Sequence, residues 1–225
     1  GARPVFLSQV HGTGVAALTA STPDNTEADA CVATDAGVVC TIMVADCLPV
    51  LLAHTSGAVV GAAHAGWRGL AGQSGVGVLE SAMRALFERF QALALTSKAQ
   101  AAIENVANNA ESFETVARGT LAWLGPCIGP QAFEVGPEVR EAFCAAGPQY
   151  SACFVPSPTQ QGKWLADLAG LARLRLQAMG VTRIYGNDSS AAWCTVTQSA
   201  RFFSHRRDTA LLGGSGRLAA CIWRG

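Results

Sequence analysis

The sequence predicts an α/β protein of the α+β kind, in which mixed β-sheets pack on one another within a single domain and are flanked by helices. Three observations predict it. Residues 30–63 are the most β-rich stretch, with apolar runs at 38–44, 49–53 and 58–63 and turn chemistry at Thr55-Ser56-Gly57. Apolar residues recur at helical spacing in two later segments, 74–91 and 164–179. Strand patterns occur both as hairpins and with helices between them, so neither a purely parallel nor a purely antiparallel sheet is expected.

The elements follow in order. Val5 to Val10 reads as a strand leading into His11-Gly12-Thr13-Gly14, a glycine-punctuated turn that holds an imidazole at a strand end. Thr19 to Asp29 is polar and loop-like. The run from Val38 meets Leu48-Pro49 at Asp46-Cys47, and because proline removes a ladder donor, a bend or a sheet edge is expected there. Val78, Leu79, Ala82, Met83, Leu86, Phe87 and Phe90 form the apolar face of a helix that begins near Ser74 or Gly77 and ends near Gln91. Residues 92–118, rich in alanine, asparagine and glutamate, read as a helical excursion or surface insertion. Leu121 to Leu124 is a short strand, Pro137 opens a helix that Gly147 ends, a third helix spans Trp164 to Met179 with Gly180 as its stop, and strands follow at 181–185 and 218–223.

Composition narrows the function. At 225 residues the chain can bury about 70% of its unfolded surface without covalent staples. Its eight cysteines, at 31, 40, 47, 127, 144, 153, 194 and 221, are scattered rather than set out as a disulfide framework. Lys plus Arg and Asp plus Glu balance at 16 each, which leaves no general electrostatic footprint for nucleic acid or an acidic membrane. No apolar stretch of transmembrane length and no signal-peptide order is read at the start, so a cytoplasmic, reducing location is expected. A small, largely buried ligand is the expected partner.

Folding Pro49 to Ala63 back about Thr55 and Ser56 places Cys47 opposite His64, on one sheet face with Cβ atoms about 4.5–5.5 Å apart. Both residues could then ligate one metal or share a proton. His11 is a further strand-end histidine, and Cys with two His is a set that a catalytic zinc takes while keeping a fourth position open. The competing reading is a buried thiol and two hydrogen-bonded imidazoles.

Taken together, Gln9-Val10-His11-Gly12, Ala45-Asp46-Cys47-Leu48-Pro49-Val50, His64-Ala65-Gly66-Trp67-Arg68-Gly69, Leu124-Gly125-Pro126-Cys127-Ile128-Gly129-Pro130 with Phe133-Glu134-Val135-Gly136, and Phe203-Ser204-His205-Arg206-Arg207 resemble the YfiH-like family, also called polyphenol oxidase or laccase-domain proteins. The resemblance runs in the family's order from residue 9 to about 217. It implies α/β/β/α layering, zinc held by His11, Cys47 and His64, and phosphorolysis of purine nucleosides (adenosine and inosine) with phosphate as co-substrate. Adenosine deamination and methylthioadenosine cleavage are implied as linked activities, and the older family name implies copper and phenol oxidation instead. The chain departs from the family's pattern in three ways. A glycine-rich N-terminal stretch is expected to be missing, residues 92–118 and 73–76 look inserted, and His205 stands where an aromatic is more usual.

Candidate roles follow from chemistry. A proton shuttle is needed for deamination, and Asp46 beside Cys47 is the candidate, with a structural role as the alternative because neighbouring strand residues alternate in direction. Phosphorolysis needs a cationic cradle, for which Arg68 is best placed and His205, Arg206 and Arg207 extend it. Arg68 stacked on Trp67, and a solvated basic run at 205–207, are the alternatives. Glu134 is a candidate for ribose hydroxyls or for capping the helix at Pro137. A blue-copper site alone takes two His and a Cys, leaving too few of the four histidines for a multicopper cluster. A metal-free hydrolase or deamidase with Cys47 activated by His64 is the remaining enzymatic alternative.

Overall fold

The computed structural model describes residues 1–101 and 111–225. Seven strands come first: β1 Arg3–Ser8, β2 Val15–Leu18, β3 Thr26–Glu27, β4 Ala30–Ala33, β5 Val38–Val44, β6 Leu48–His54 and β7 Val60–Ala65. Helices α1 Trp67–Ala71, α2 Val78–Ala101 and α3 Phe113–Gly119 follow, then β8 Thr120–Leu124, β9 Glu134–Val135, α4 Pro137–Cys144, β10 Phe154–Pro156, β11 Trp164–Ala166, α5 Leu168–Ala178, β12 Arg183–Gly186, α6 His205–Leu212 and β13 Leu218–Ile222.

A six-stranded sheet, β12-β8-β6-β7-β4-β2, packs on a four-stranded one, β13-β5-β1-β3. Both are mixed: β2 with β4, β8 with β12, and β1 with β3 and β5 run parallel, and the remaining pairs are antiparallel. The packed mixed sheets flanked by helices expected from the sequence are therefore present. Val5, Cys31, Cys40, Ile42, Val60 and Ala62 fill the space between the sheets. On the other face of the large sheet, Val50, Leu52 and Ala63 meet Leu79, Met83 and Leu86 of α2 and Leu171 and Leu176 of α5. Strands β6 and β7 are thus covered on both faces, which is why they read as unbroken apolar runs rather than alternating ones.

The hairpin forms with a different register. Pro49, not Cys47, stands opposite His64, and Ala53 opposite Val60. His54 N donates to Val59 O and Gly57 N to His54 O, with Gly57 at φ +70°, so the turn holds the four residues 55–58 instead of closing at Thr55-Ser56. That moves the centre of the fold-back by one residue and the pairing by two. A two-residue shift leaves every side chain on its original face, so Cys47 and His64 remain on a common face as a diagonal pair.

Other expectations change too. Pro49 lies in β6, flanked by β8 and β7 and far from any sheet edge, while its carbonyl accepts from Gly125 N. The bend is real but sits just before it, at Asp46 with φ +86°, where the chain crosses from the small sheet to the large one. The third helix starts at Leu168 rather than Trp164. Trp164–Ala166 is instead the middle strand of a small antiparallel sheet, β10-β11-β9, and Asp167 caps α5 by accepting from Gly170 N. Helix α2 runs past Gln91 to Ala101, and α3 buries Val116 and Ala117, so both described ends of the expected insertion are helical. Residues 102–110 of that expectation lie outside the described residues. Among the described residues no helix is long and apolar enough to cross a membrane.

Candidate metal centre and cleft

Three chain segments meet at one place. His11 follows β1 in a turn that gives it φ +62°, Cys47 follows the crossing at Asp46, and His64 lies near the end of β7. One ligand atom from each of His11, Cys47 and His64 lies within 4.8 Å of the others, and among the described residues this is the one such group of three or more side chains. The Cys47 thiol is 3.7 Å from His11 Nε2, and the two imidazoles meet edge to face with centroids 4.7 Å apart. The group expected from the sequence is therefore assembled, and it could bind a metal ion.

The hairpin register explains a glycine in its midst. Carried one pair further, it sets Gly66 against Cys47. A Cβ on Gly66 would stand 2.9 Å from Cys47 Sγ and 3.0 Å from His11 Cδ2. The donor atoms converge because nothing projects from that position.

Asp29, at the end of the polar stretch 19–29 that reads as a loop, is wholly buried beneath the group. Its Oδ1 accepts from His64 Nδ1 at 2.8 Å and from His11 N at 2.9 Å, and its Oδ2 accepts from Gly12 N at 2.6 Å and Val10 N at 3.2 Å. Burial alone would raise its pKa, but the hydrogen bonds from His64, Gly12 and His11 outweigh that and hold the carboxyl below its ordinary value. Burial, reinforced by the neighbouring Asp46 charge, pushes the Cys47 thiol up to about 12, with Arg217 and Arg68 pulling the other way. Burial and the neighbouring His64 lower the pKa of His11. The hydrogen-bond partner of the Cys47 thiol is His11 Nε2 rather than His64.

A cavity of about 400 Å³ opens over the donor atoms, within the usual range for a small-molecule site. Trp67, Ile128, Phe133 and Leu168 supply apolar wall, and His205, Arg206 and Arg217 supply cationic or polar wall. Of the residues named from the sequence, His11, Asp46, Cys47, His64, His205 and Arg206 line this cavity.

Arg68, Glu134 and Arg207 do not line it, and each has a physical reason. The Arg68 guanidinium lies over the Trp67 ring, 4.5 Å from its centroid. Glu134 turns away to accept from Ser157 at 2.6 Å and Thr159 at 2.9 Å, with Lys163 at 3.5 Å; it does not cap α4. Arg207 grips both carboxylate oxygens of Asp208 and the carbonyls of Thr195, Val196 and Phe202. Asp46 reaches the cavity, yet both its oxygens are engaged, one by Thr195 Oγ1 at 2.5 Å and the other by Arg206 N at 2.6 Å. It tethers the first turn of α6. Arg217, with Nη1 held by the carbonyls of Ser215 and Gly216, is a cation the sequence reading missed, and a lone arginine in a glycine-rich tail gave no signal.

Two face-packed mixed sheets with a His-Cys-His donor group at the mouth of a cleft define the class, a protein built around a candidate metal centre. The family pattern described as "Multi-copper polyphenol oxidoreductase laccase" matches residues 1–104 and 95–225. The chain belongs to this family, the YfiH-like proteins. It is 44% identical over 222 residues to the purine nucleoside phosphorylase YfiH of Escherichia coli, covering 98% of this chain and 74% of that protein. It is 41% identical over 221 residues to a purine nucleoside phosphorylase of Pseudomonas aeruginosa, with the same two coverages. Among solved structures, a Neisseria meningitidis protein matches with a TM-score of 0.76 at 37% identity, over 99% of this chain and 75% of that one. YlmD from Geobacillus stearothermophilus matches with a TM-score of 0.69 at 29% identity, over 99% and 73%.

Proposed function

We propose that the chain is a zinc-dependent purine nucleoside phosphorylase acting on adenosine, inosine and methylthioadenosine, with adenosine deamination at the same centre. The observation that carries this reading is the placing of the His11, Cys47 and His64 donors beside a cavity that is apolar on one side and cationic on another. Two relatives that bear the name purine nucleoside phosphorylase, at 44% and 41% identity, support it.

The donor set fits zinc: a thiol and two imidazoles are borderline-soft ligands, and His64 offers Nε2 while Asp29 occupies its Nδ1. When bound, zinc supplies Lewis acidity to a substrate oxygen or to water. The rest falls to the chain's own side chains. Trp67, Phe133, Ile128 and Leu168 present flat, apolar surface to a purine ring and exclude water from it. His205, Arg206 and Arg217 offer donors to a phosphate, and the grip of Asp46 on the Arg206 main-chain N–H fixes the turn that carries His205 and Arg206. In phosphorolysis a phosphate oxygen bonds to the ribose anomeric carbon, the bond from that carbon to the base nitrogen breaks, and its electron pair leaves with the base. Asp46 serves as a positioning residue, since a shuttled proton would have to displace Thr195 or Arg206 from its carboxylate.

Copper-dependent phenol oxidation is the second reading, favoured by the family's description and by a donor set that also suits a mononuclear copper. Against a multicopper cluster, His54 is held by Ser56 and packs on Phe90. The hydrolase reading is weakened by the thiol, which meets His11 rather than the His64 base that reading needs and whose pKa burial raises. Base and ammonia release from adenosine and inosine, with and without phosphate, tests the proposal when metal is quantified on the same sample. Phosphate-dependent release of base from zinc-loaded protein is expected. Release that ignores phosphate, or phenol oxidation by a copper-loaded sample with no nucleoside turnover, would overturn it.

A further inference from the structure

We propose that Asp29 is a positioning residue that turns two separate histidines into one donor set, by fixing the tautomer of His64 and the backbone of His11 with a single carboxylate. The inference rests on the metal reading above. Its basis is the bonding of one fully buried side chain.

An ionised carboxylate can only accept hydrogen bonds, so the 2.8 Å contact between Asp29 Oδ1 and His64 Nδ1 requires the proton on Nδ1. In the neutral imidazole Nε2 is then the nitrogen left bare, with its lone pair available to an ion, and the ring cannot rotate away without breaking the Nδ1 bond. The His64 main chain is pinned as well, its N–H donating to Asp29 O at 2.7 Å.

The same carboxylate gathers three consecutive amides, those of Val10, His11 and Gly12. His11 lies at φ +62°, a conformation that costs free energy in a residue with a side chain. Three amides converging on one buried charge hold that conformation in place and direct the imidazole toward Cys47. Asp29 lies 18 residues from His11 and 35 from His64, so no local motif announces it. Asparagine at this position would present an amide where Oδ2 now takes two N–H groups, so it cannot reproduce both halves of the arrangement.

Two measurements test the inference. In unsubstituted, metal-free protein titrated until the His64 ring is neutral, nitrogen-15 NMR should find His64 protonated on Nδ1 and bare on Nε2; the opposite tautomer would overturn it even if no variant can be made. In Asp29→Asn, zinc affinity should fall about 10–100-fold, and the visible absorption of the cobalt-substituted protein should shift as the ligand field changes. Equal zinc affinity with an unchanged cobalt spectrum in a folded variant would sink the proposal. Failure of the unsubstituted protein to bind zinc would sink the metal reading instead, and the tautomer measurement would still decide the role of Asp29.

Discussion

The two sides of the cleft are built differently. The donor side is made of strand ends and tight turns from both sheets, with His64 and Asp29 buried and hydrogen-bonded to each other through His64 Nδ1. The cationic side comes from the first turn of α6 and the segment before β13, where His205, Arg206 and Arg217 are exposed and held by single contacts to Thr209, by long ones to the Glu134 carbonyl, or by neighbouring carbonyls. A metal demands donors fixed to within fractions of an ångström, whereas an anion arriving from water is met by side chains that can adjust. Rigid placement on one side and adaptable charge on the other is the arrangement that the proposed function, a held metal with exchanging substrates, requires.

Changes on each side should therefore fail in different ways. His64→Ala should abolish turnover and zinc binding together while the circular dichroism spectrum stays that of a folded protein, because one ligand is a small part of two extended cores. Arg217→Gln should leave zinc content intact and raise the KM for phosphate about tenfold or more, the worth of a charge-assisted hydrogen bond; an unchanged phosphate KM would remove Arg217 from the anion site. Gly66→Ala places a methyl 2.9 Å from Cys47 Sγ. Overpacking of this kind costs about 1–3 kcal/mol, read as a lower melting temperature together with weaker zinc binding. Glu134→Gln, by contrast, should leave the KM for nucleoside unaltered, since that carboxylate faces Ser157 and Thr159 and not the cavity.

The contrast also explains what was legible in the sequence. Strands β5 to β7 announced themselves because both faces are buried, and the hairpin argument put Cys47 and His64 on one face despite a register wrong by two residues, since an even shift preserves the face. An error of one would have separated them. Strands β9 to β11 are two or three residues long, and Trp164 and Leu165 continued the apolar spacing of the helix behind them, so the strand stayed hidden. Asp167 was the available signal, an aspartate of the kind that favours a helix N-cap. Within the site, the donors were visible because the hairpin sets Cys47 and His64 on one face and His11 stands in a glycine-punctuated turn at a strand end. Asp29 and Arg217 were not, because a common residue acquires its role only through contacts that the fold creates. Arg207 and Glu134 fall outside the cavity lining for the converse reason: their types suit the chemistry, but local sequence does not say which way a side chain points.

The most direct test of the central claim is zinc content and phosphate-dependent hypoxanthine release from inosine, measured side by side on the unsubstituted protein and on Cys47→Ala. The account predicts about one zinc per chain and turnover in the former and neither in the latter. Turnover by Cys47→Ala, or by unsubstituted protein freed of metal, would contradict it.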